Sequence, residues 1–186
     1  MLASTEAIII EVVFSLGALI AVAGLGGLIW TKQHHRGFRP AMTVILCGVG
    51  IVIIASLLNV LLFKTYAGVR VKKNQYYEIT SLTTNMRASL ASSQAPQQPV
   101  TPAAKKASRN VTYLVTHTDQ SQTARRAAKA AQRQLTQHKQ PDVAVVKHNY
   151  RIILDHYFDA VTSSPKAQQH LSDHAYQHVT QRPARH

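Results

Sequence analysis

Cysteine is nearly missing from this chain of 186 residues: the single one, Cys47, lies inside an apolar run. No disulfide within the chain can staple the fold, and cysteine pairing gives no clue to the redox compartment. Glycine is absent from Asn110 onward, which removes the loops whose bare backbone cradles phosphate in nucleotide-binding sites. Acids are scarce too, with eight Asp and Glu against 21 Lys and Arg and a formal charge of +13. Neither a nucleophile elbow nor a His-Glu-x-x-His helix occurs. Asp155, His156 and Asp159 invite an acid/base reading, but acids four apart on a helix beside Arg151 read as a solvated face. The expectation is a non-enzymatic protein with no cofactor.

What the chain has in abundance is apolar sequence, and all of it comes early. Residues 8–30 (IIIEVVFSLGALIAVAGLGGLIW) and 41–63 (AMTVILCGVGIVIIASLLNVLLF) are separated by TKQHHRGFRP at 31–40. A bilayer core of about 30 Å takes roughly 20 helical residues to cross, so each run is long enough to span, and 1–63 reads as a transmembrane hairpin. Ala21-Val22-Ala23 has the small-x-small form of a signal cleavage site. Yet no Lys or Arg precedes the run and its apolar character continues to Trp30, which favours an uncleaved span. Lipid gives helices no hydrophobic reason to associate, so small residues that permit close approach do that work. The pairs Gly17/Ala21 and Ala23/Gly27, with Asn59 as a polar partner, are the expected packing positions, within the hairpin or between copies in a homo-oligomer. The hairpin would sit in the cell membrane as a two-pass anchor.

Orientation is contested by two sets of charges. Lys32, Arg36 and Arg39 in the loop, with no base before the first span, place the loop in the cytoplasm and both termini outside; Lys64, Arg70, Lys72 and Lys73 argue the reverse. Because the first helix usually dominates, both termini outside is the favoured topology.

After the hairpin, residues 64–90 place Tyr76, Ile79, Leu82, Met86 and Leu90 at steps of three and four, the pattern of a juxtamembrane basic helix. Residues 91–109 are rich in Ser, Gln, Pro and Ala and read as a disordered linker. The remainder, 110–186, reads as a small basic α/β module of βαβαα type. Asn110–Thr118 alternates like a half-buried strand, an Ala-rich helix follows with Asp119 or Ser121 as its cap, and DVAVVK at 142–147 reads as a second strand. Two helices complete it, one over 150–162 and one starting cleanly at Ser164-Pro165. This layout of anchor, linker and small module is similar to that of some bacterial-type envelope proteins with wall-binding tails, an analogy from which no binding residue is carried over.

Only Lys32, Arg36 and Arg39 among the bases and Glu6 and Glu11 among the acids precede Lys64, so residues 64–186 carry 18 bases and six acids. A surface of that sign attracts polyanions. Lys64, Arg70, Lys72 and Lys73 beside the membrane, and Arg125, Lys129 and Arg133 at steps of four on the Ala-rich helix, are the candidate polyanion-binding residues. Outside the cytoplasm the partner would be an anionic envelope polymer or a protein. With the topology inverted it would be anionic lipid or nucleic acid, or the chain would be an accessory subunit of a membrane complex. His170, His174 and His178, at successive fours on the last helix, are candidate metal ligands, because side chains four apart project from one face; a solvated polar face is the plainer reading.

Overall fold

The computed structural model describes residues 3–33, 37–91, 100–118, 121–138 and 140–181, and the chain divides into two compact units, Met1–Lys64 and Thr65–His186. It contains seven helices and one two-stranded sheet among the described residues.

The first unit is a pair of long apolar helices, α1 (Ala3–Gln33) and α2 (Arg39–Leu62). Both are long and apolar enough to cross a membrane, and only 11% of the most apolar stretch of each is buried. What is buried lies on one seam. In α1 it comprises Gly17, Gly24 and Thr31, with Ala21 and Leu28 half-buried beside them; in α2, Ala41, Gly48 and Ala55, with Ile45, Val52 and Asn59 half-buried. Steps of three and four average 3.5 residues, which keeps one stripe against a partner helix. Contact along the seam is backbone-close: a Cβ added at Gly48 would stand 2.5 Å from the Ala21 nitrogen and 2.8 Å from the Gly17 oxygen. Away from the seam, large side chains point outward, including Leu19 at 66% and Val60 at 73% exposure. Hydroxyls within the spans close on their own helix, Ser15 donating to the Glu11 carbonyl at 2.9 Å and Ser56 to that of Val52 at 2.8 Å. Such bonds remove the cost of a polar group in an apolar surround.

The spans differ from the sequence expectation at their ends. Helix α1 runs on through Thr31–Gln33, α2 takes in Arg39 and Pro40, and Phe63 leaves the second helix in an extended conformation (φ −120°, ψ 152°). It opens β1 (Phe63–Tyr66), which pairs with β2 (Val69–Lys72). The turn between them has positive φ at both Ala67 (48°) and Gly68 (79°), the mirror-image geometry that matches the twist of a two-residue hairpin. The helix expected to continue from the bilayer is therefore interrupted by this hairpin and begins only at α3 (Lys73–Ala91).

The second unit is helical. After α3 come α4 (Pro102–His117), α5 (Gln122–Gln137), α6 (Val143–Val161) and α7 (Pro165–Thr180). Each packs on the next, and α7 packs back on α3, so the five close into a ring. The α/β expectation fails here. Asn110–Thr118 is the second half of α4, because Val111 and Val115 extend a helical stripe that begins at Ala104, Ala107 and Ser108. Reading the element from Asn110 cut that stripe in half and left a fragment that mimics alternation. DVAVVK fails as a strand for a related reason. The Asp142 side chain accepts from Ala144 N–H at 2.9 Å and Val145 N–H at 3.3 Å, capping α6, whose core face continues through Tyr150, Ile153, Leu154, Tyr157 and Phe158. No parallel strand pair exists among the described residues. Residues 102–109, read as linker, start α4 behind the Thr101 cap; 92–99 lie outside the described residues, as does Asp119, while Ser121 caps α5 and Ser164 caps α7.

At the centre of the ring the Tyr150 hydroxyl meets Ser89 Oγ at 2.6 Å, both fully buried, and Ser89 in turn bonds the Met86 carbonyl at 2.7 Å. Burial pushes the Tyr150 phenol up to about 12, against the opposing pull of its bond to Ser89.

Two predictions follow from packing and burial. Gly48→Leu forces α1 and α2 apart and lowers the thermal midpoint of the detergent-solubilised hairpin, whereas Gly50→Leu, where an added Cβ meets nothing within 4 Å, leaves it unchanged; equal midpoints for the two variants would refute the seam. Because the folded phenol titrates above its unfolded value, the stability Tyr150 confers is intact below pH 10 and drains away between pH 10 and about 12, at up to about 1.4 kcal/mol per pH unit. Tyr150→Phe should cost about 1 kcal/mol at neutral pH yet flatten the alkaline decline in denaturant titrations.

Candidate polyanion-binding face

The basic residues are presented by two neighbouring helices with the same internal phasing. Thr101 caps α4 and Ser121 caps α5, each side chain accepting from the N–H three residues on, at 3.3 Å and 3.1 Å. Counted from these caps, Ala104 and Ala124 fall at the third place, Lys105-Lys106 and Arg125-Arg126 at the fourth and fifth, Ala107 and Ala127 at the sixth, and Arg109 and Lys129 at the eighth. The small residues are buried; Lys106, Arg109, Arg126, Lys129 and Arg133 are exposed. Of the stripe expected on α5, Lys129 and Arg133 thus lie on the open face and Arg125 is half-buried at its edge. Lys106, Arg109 and Arg126 escaped the sequence reading, and the signal for them was the repeat itself, hidden while α4 was divided between linker and strand.

The face owes its potential to what it lacks. Between Glu78 and Asp142 the only acid is Asp119, outside the described residues. Four of the six acids after Lys64 occupy the cap and body of α6 and α7, at Asp142, Asp155, Asp159 and Asp173, where several are engaged. Arg151 Nε lies 3.0 Å from Asp155 Oδ1, its Nη1 2.6 Å from Asp173 Oδ1, and Ser172 donates to Asp155. Arg151, Asp155 and Ser172 line an open cleft of about 300 Å³ with Asp159 and Gln168. His156 approaches Asp159 at 3.9 Å. The cluster clamps α6 to α7 through Arg151, on which Asp155 and Asp173 converge.

The other basic group is carried separately. Lys64 is in β1, Arg70 and Lys72 in β2 and Lys73 opens α3; β2 packs against α3, whereas α5 packs between α4 and α6. His170, His174 and His178 do share an exposed face of α7, but eight helical residues rise about 12 Å, too far for all three to meet one ion. No group of three His, Cys, Asp or Glu side chains able to hold a metal occurs among the described residues. The His174 ring stands edge-on to Tyr66, centroids 5.5 Å apart. At the anchor, Gly17 and Ala21 lie on the hairpin seam, Gly27 is half-buried near Ala41, Asn59 is half-buried, and Ala23 faces outward; Gly24 takes the inward place beside Ile45.

No protein-family model matches the chain, nor does any curated protein or solved structure. Function therefore rests on the site alone.

One titration reports on the α7 face. Desolvation first, then the charges of Arg87 and His174, hold His178 below the usual histidine value. Its imidazole signal should shift with a midpoint under pH 6.5, and Arg87→Gln should raise that midpoint part-way, since desolvation persists; an unmoved midpoint would show that α3 does not bring Arg87 to α7 in solution.

Proposed function

We propose that this is a non-enzymatic, two-pass membrane protein whose helical bundle lies outside the cytoplasm and binds an anionic envelope polymer or an acidic protein partner through α4 and α5. The observation that carries the reading is the segregation of charge: five exposed cations on two adjacent helices with no acid among the described residues of either. A low-dielectric bundle presenting one sign of charge attracts and concentrates the opposite sign. Support for the anchor comes from the outward apolar girdle of α1 and α2, since the core helix of a soluble protein would be mostly buried.

Support for the topology comes from Lys32, Arg36 and Arg39 in the short connection between the spans. Arg70, Lys72 and Lys73 weigh less against it because they belong to a folded unit, and folded domains translocate largely regardless of charge. The four bases that follow the second helix nevertheless favour a second reading, an inverted topology in which the bundle meets anionic lipid or nucleic acid in the cytoplasm. A protease site inserted between Ala95 and Pro99 separates the two: cleavage in intact cells is expected, and cleavage only after the membrane is opened would establish the inverted form.

A further inference from the structure

We propose that the loop end of the hairpin holds an anionic phospholipid, its phosphate on Arg39 and its glycerol and upper acyl chain against Trp30 and Phe38, an assignment that rests on the two-pass membrane reading above. The first ground is shape. Trp30 and Thr31 at the end of α1, Gly37 and Phe38 in the connection, and Arg39 and Pro40 at the start of α2 line an open cavity of about 690 Å³ with mostly apolar walls, within the size range of small-molecule sites. Thr31 is already engaged, donating its hydroxyl to the Leu28 carbonyl at 3.0 Å, and Pro40 has no N–H to offer, so Arg39 is the polar group left to meet a ligand. A Cβ added at Gly37 would meet nothing within 4 Å, which leaves the mouth open. The cavity lies where both apolar runs stop, since Trp30 closes the first and Ala41 opens the second. Trp30 and Phe38 are half exposed there, at 50% and 52%, and an indole at that level sits among headgroups.

The second ground is charge. No acid occurs in the sequence between Glu11 and Glu78. The acids of the first unit, Glu6 and Glu11, belong to the opposite end of α1, with Glu11 about 28 Å from Trp30 along the axis at 1.5 Å of rise per residue. Arg39 is exposed and has no carboxylate within reach in its own unit. Phe38, the cap of α2, supplies no side-chain acceptor for that helix's first N–H groups, which adds to the same positive sign. At the end of a membrane span the anion supplied by the surroundings is the phosphate of a lipid headgroup, and this position, not the chemistry of the guanidinium, selects phosphate over carboxylate. A zwitterionic lipid would bring its own ammonium to a region that already holds Lys32 and Arg39 without an acid, whereas an anionic lipid answers their charge. In the proposed topology this end faces the cytoplasmic leaflet, whose surface potential is negative.

Trp30 is the chain's single tryptophan, so its fluorescence reads the site directly. The test places the full-length protein in phosphatidylcholine nanodiscs doped with a minor fraction of lipid brominated near the top of its acyl chains, either phosphatidylglycerol or phosphatidylcholine. Brominated phosphatidylglycerol should quench Trp30 as though enriched about fivefold over its share of the bilayer, the ratio expected of one base at an anionic surface. Brominated phosphatidylcholine should quench in proportion to its share. Arg39→Gln should abolish the enrichment with helicity unchanged by circular dichroism, while Lys32→Gln, which removes an equal charge from an exposed residue outside the cavity lining, should leave most of it. Equal losses from the two variants would reduce the effect to diffuse surface charge and overturn the site, as would equal quenching by the two lipids; both results leave the membrane anchor standing. Relief of the enrichment by inorganic phosphate in the buffer would hand the site to a free anion and overturn the lipid. Absence of quenching by either lipid would sink the membrane reading and the site with it.

Discussion

Close approach of helix backbones, permitted by residues with almost no side chain, is the constraint on which each unit depends. In the first unit Gly48 sits against the backbone of Ala21 and Gly17 at distances no side chain could occupy. Lipid cannot drive two apolar helices together, so the contact has to come from packing itself. In the second unit α5 is seated on its neighbours by Ala124, Ala127, Ala128 and Ala131. There the bulk missing from α5 is supplied by α6, whose Tyr150, Ile153, Leu154 and Phe158 are essentially fully buried.

Where the sequence was readable, one strong periodicity or one cap carried the signal. The two apolar spans, the buried face of α3 at Ile79, Leu82, Met86 and Leu90, and the starts of α5 and α7 at Ser121 and Ser164 all appear as expected. Where it misled, a β-branched run sat inside a longer helix. Val111, Thr112 and Val115, or Val143, Val145 and Val146, have strand preference taken alone. Each is outweighed by the stripe it belongs to and by the cap at Thr101 or Asp142, which tertiary packing then confirms. The β-hairpin was missed because Ala67 occupies a left-handed position usually held by Asn, Asp or Gly. Three of the five exposed cations of the basic face were missed for the same reason as α4: a repeat is visible only when both copies are read as the same element.

The charge pattern also shows how a protein of +13 can fold compactly. Its acids are few, but Asp155 and Asp173 are spent bridging Arg151 between α6 and α7, while the cations of α4 and α5 project into solvent where water and salt screen them. Attraction is used for cohesion on one side of the ring, and repulsion is left on the other.

That arrangement makes the helix bearing most of the exposed charge also the one with the shallowest roots. Four of the five residues that α5 buries are alanines and the fifth is Leu135, so its removal from the core exposes little apolar area and forfeits little transfer free energy. Local opening is cheapest where burial is least. Opening α5 locally would therefore forfeit little apolar burial, and a ligand that bridges it to α4 would oppose that opening.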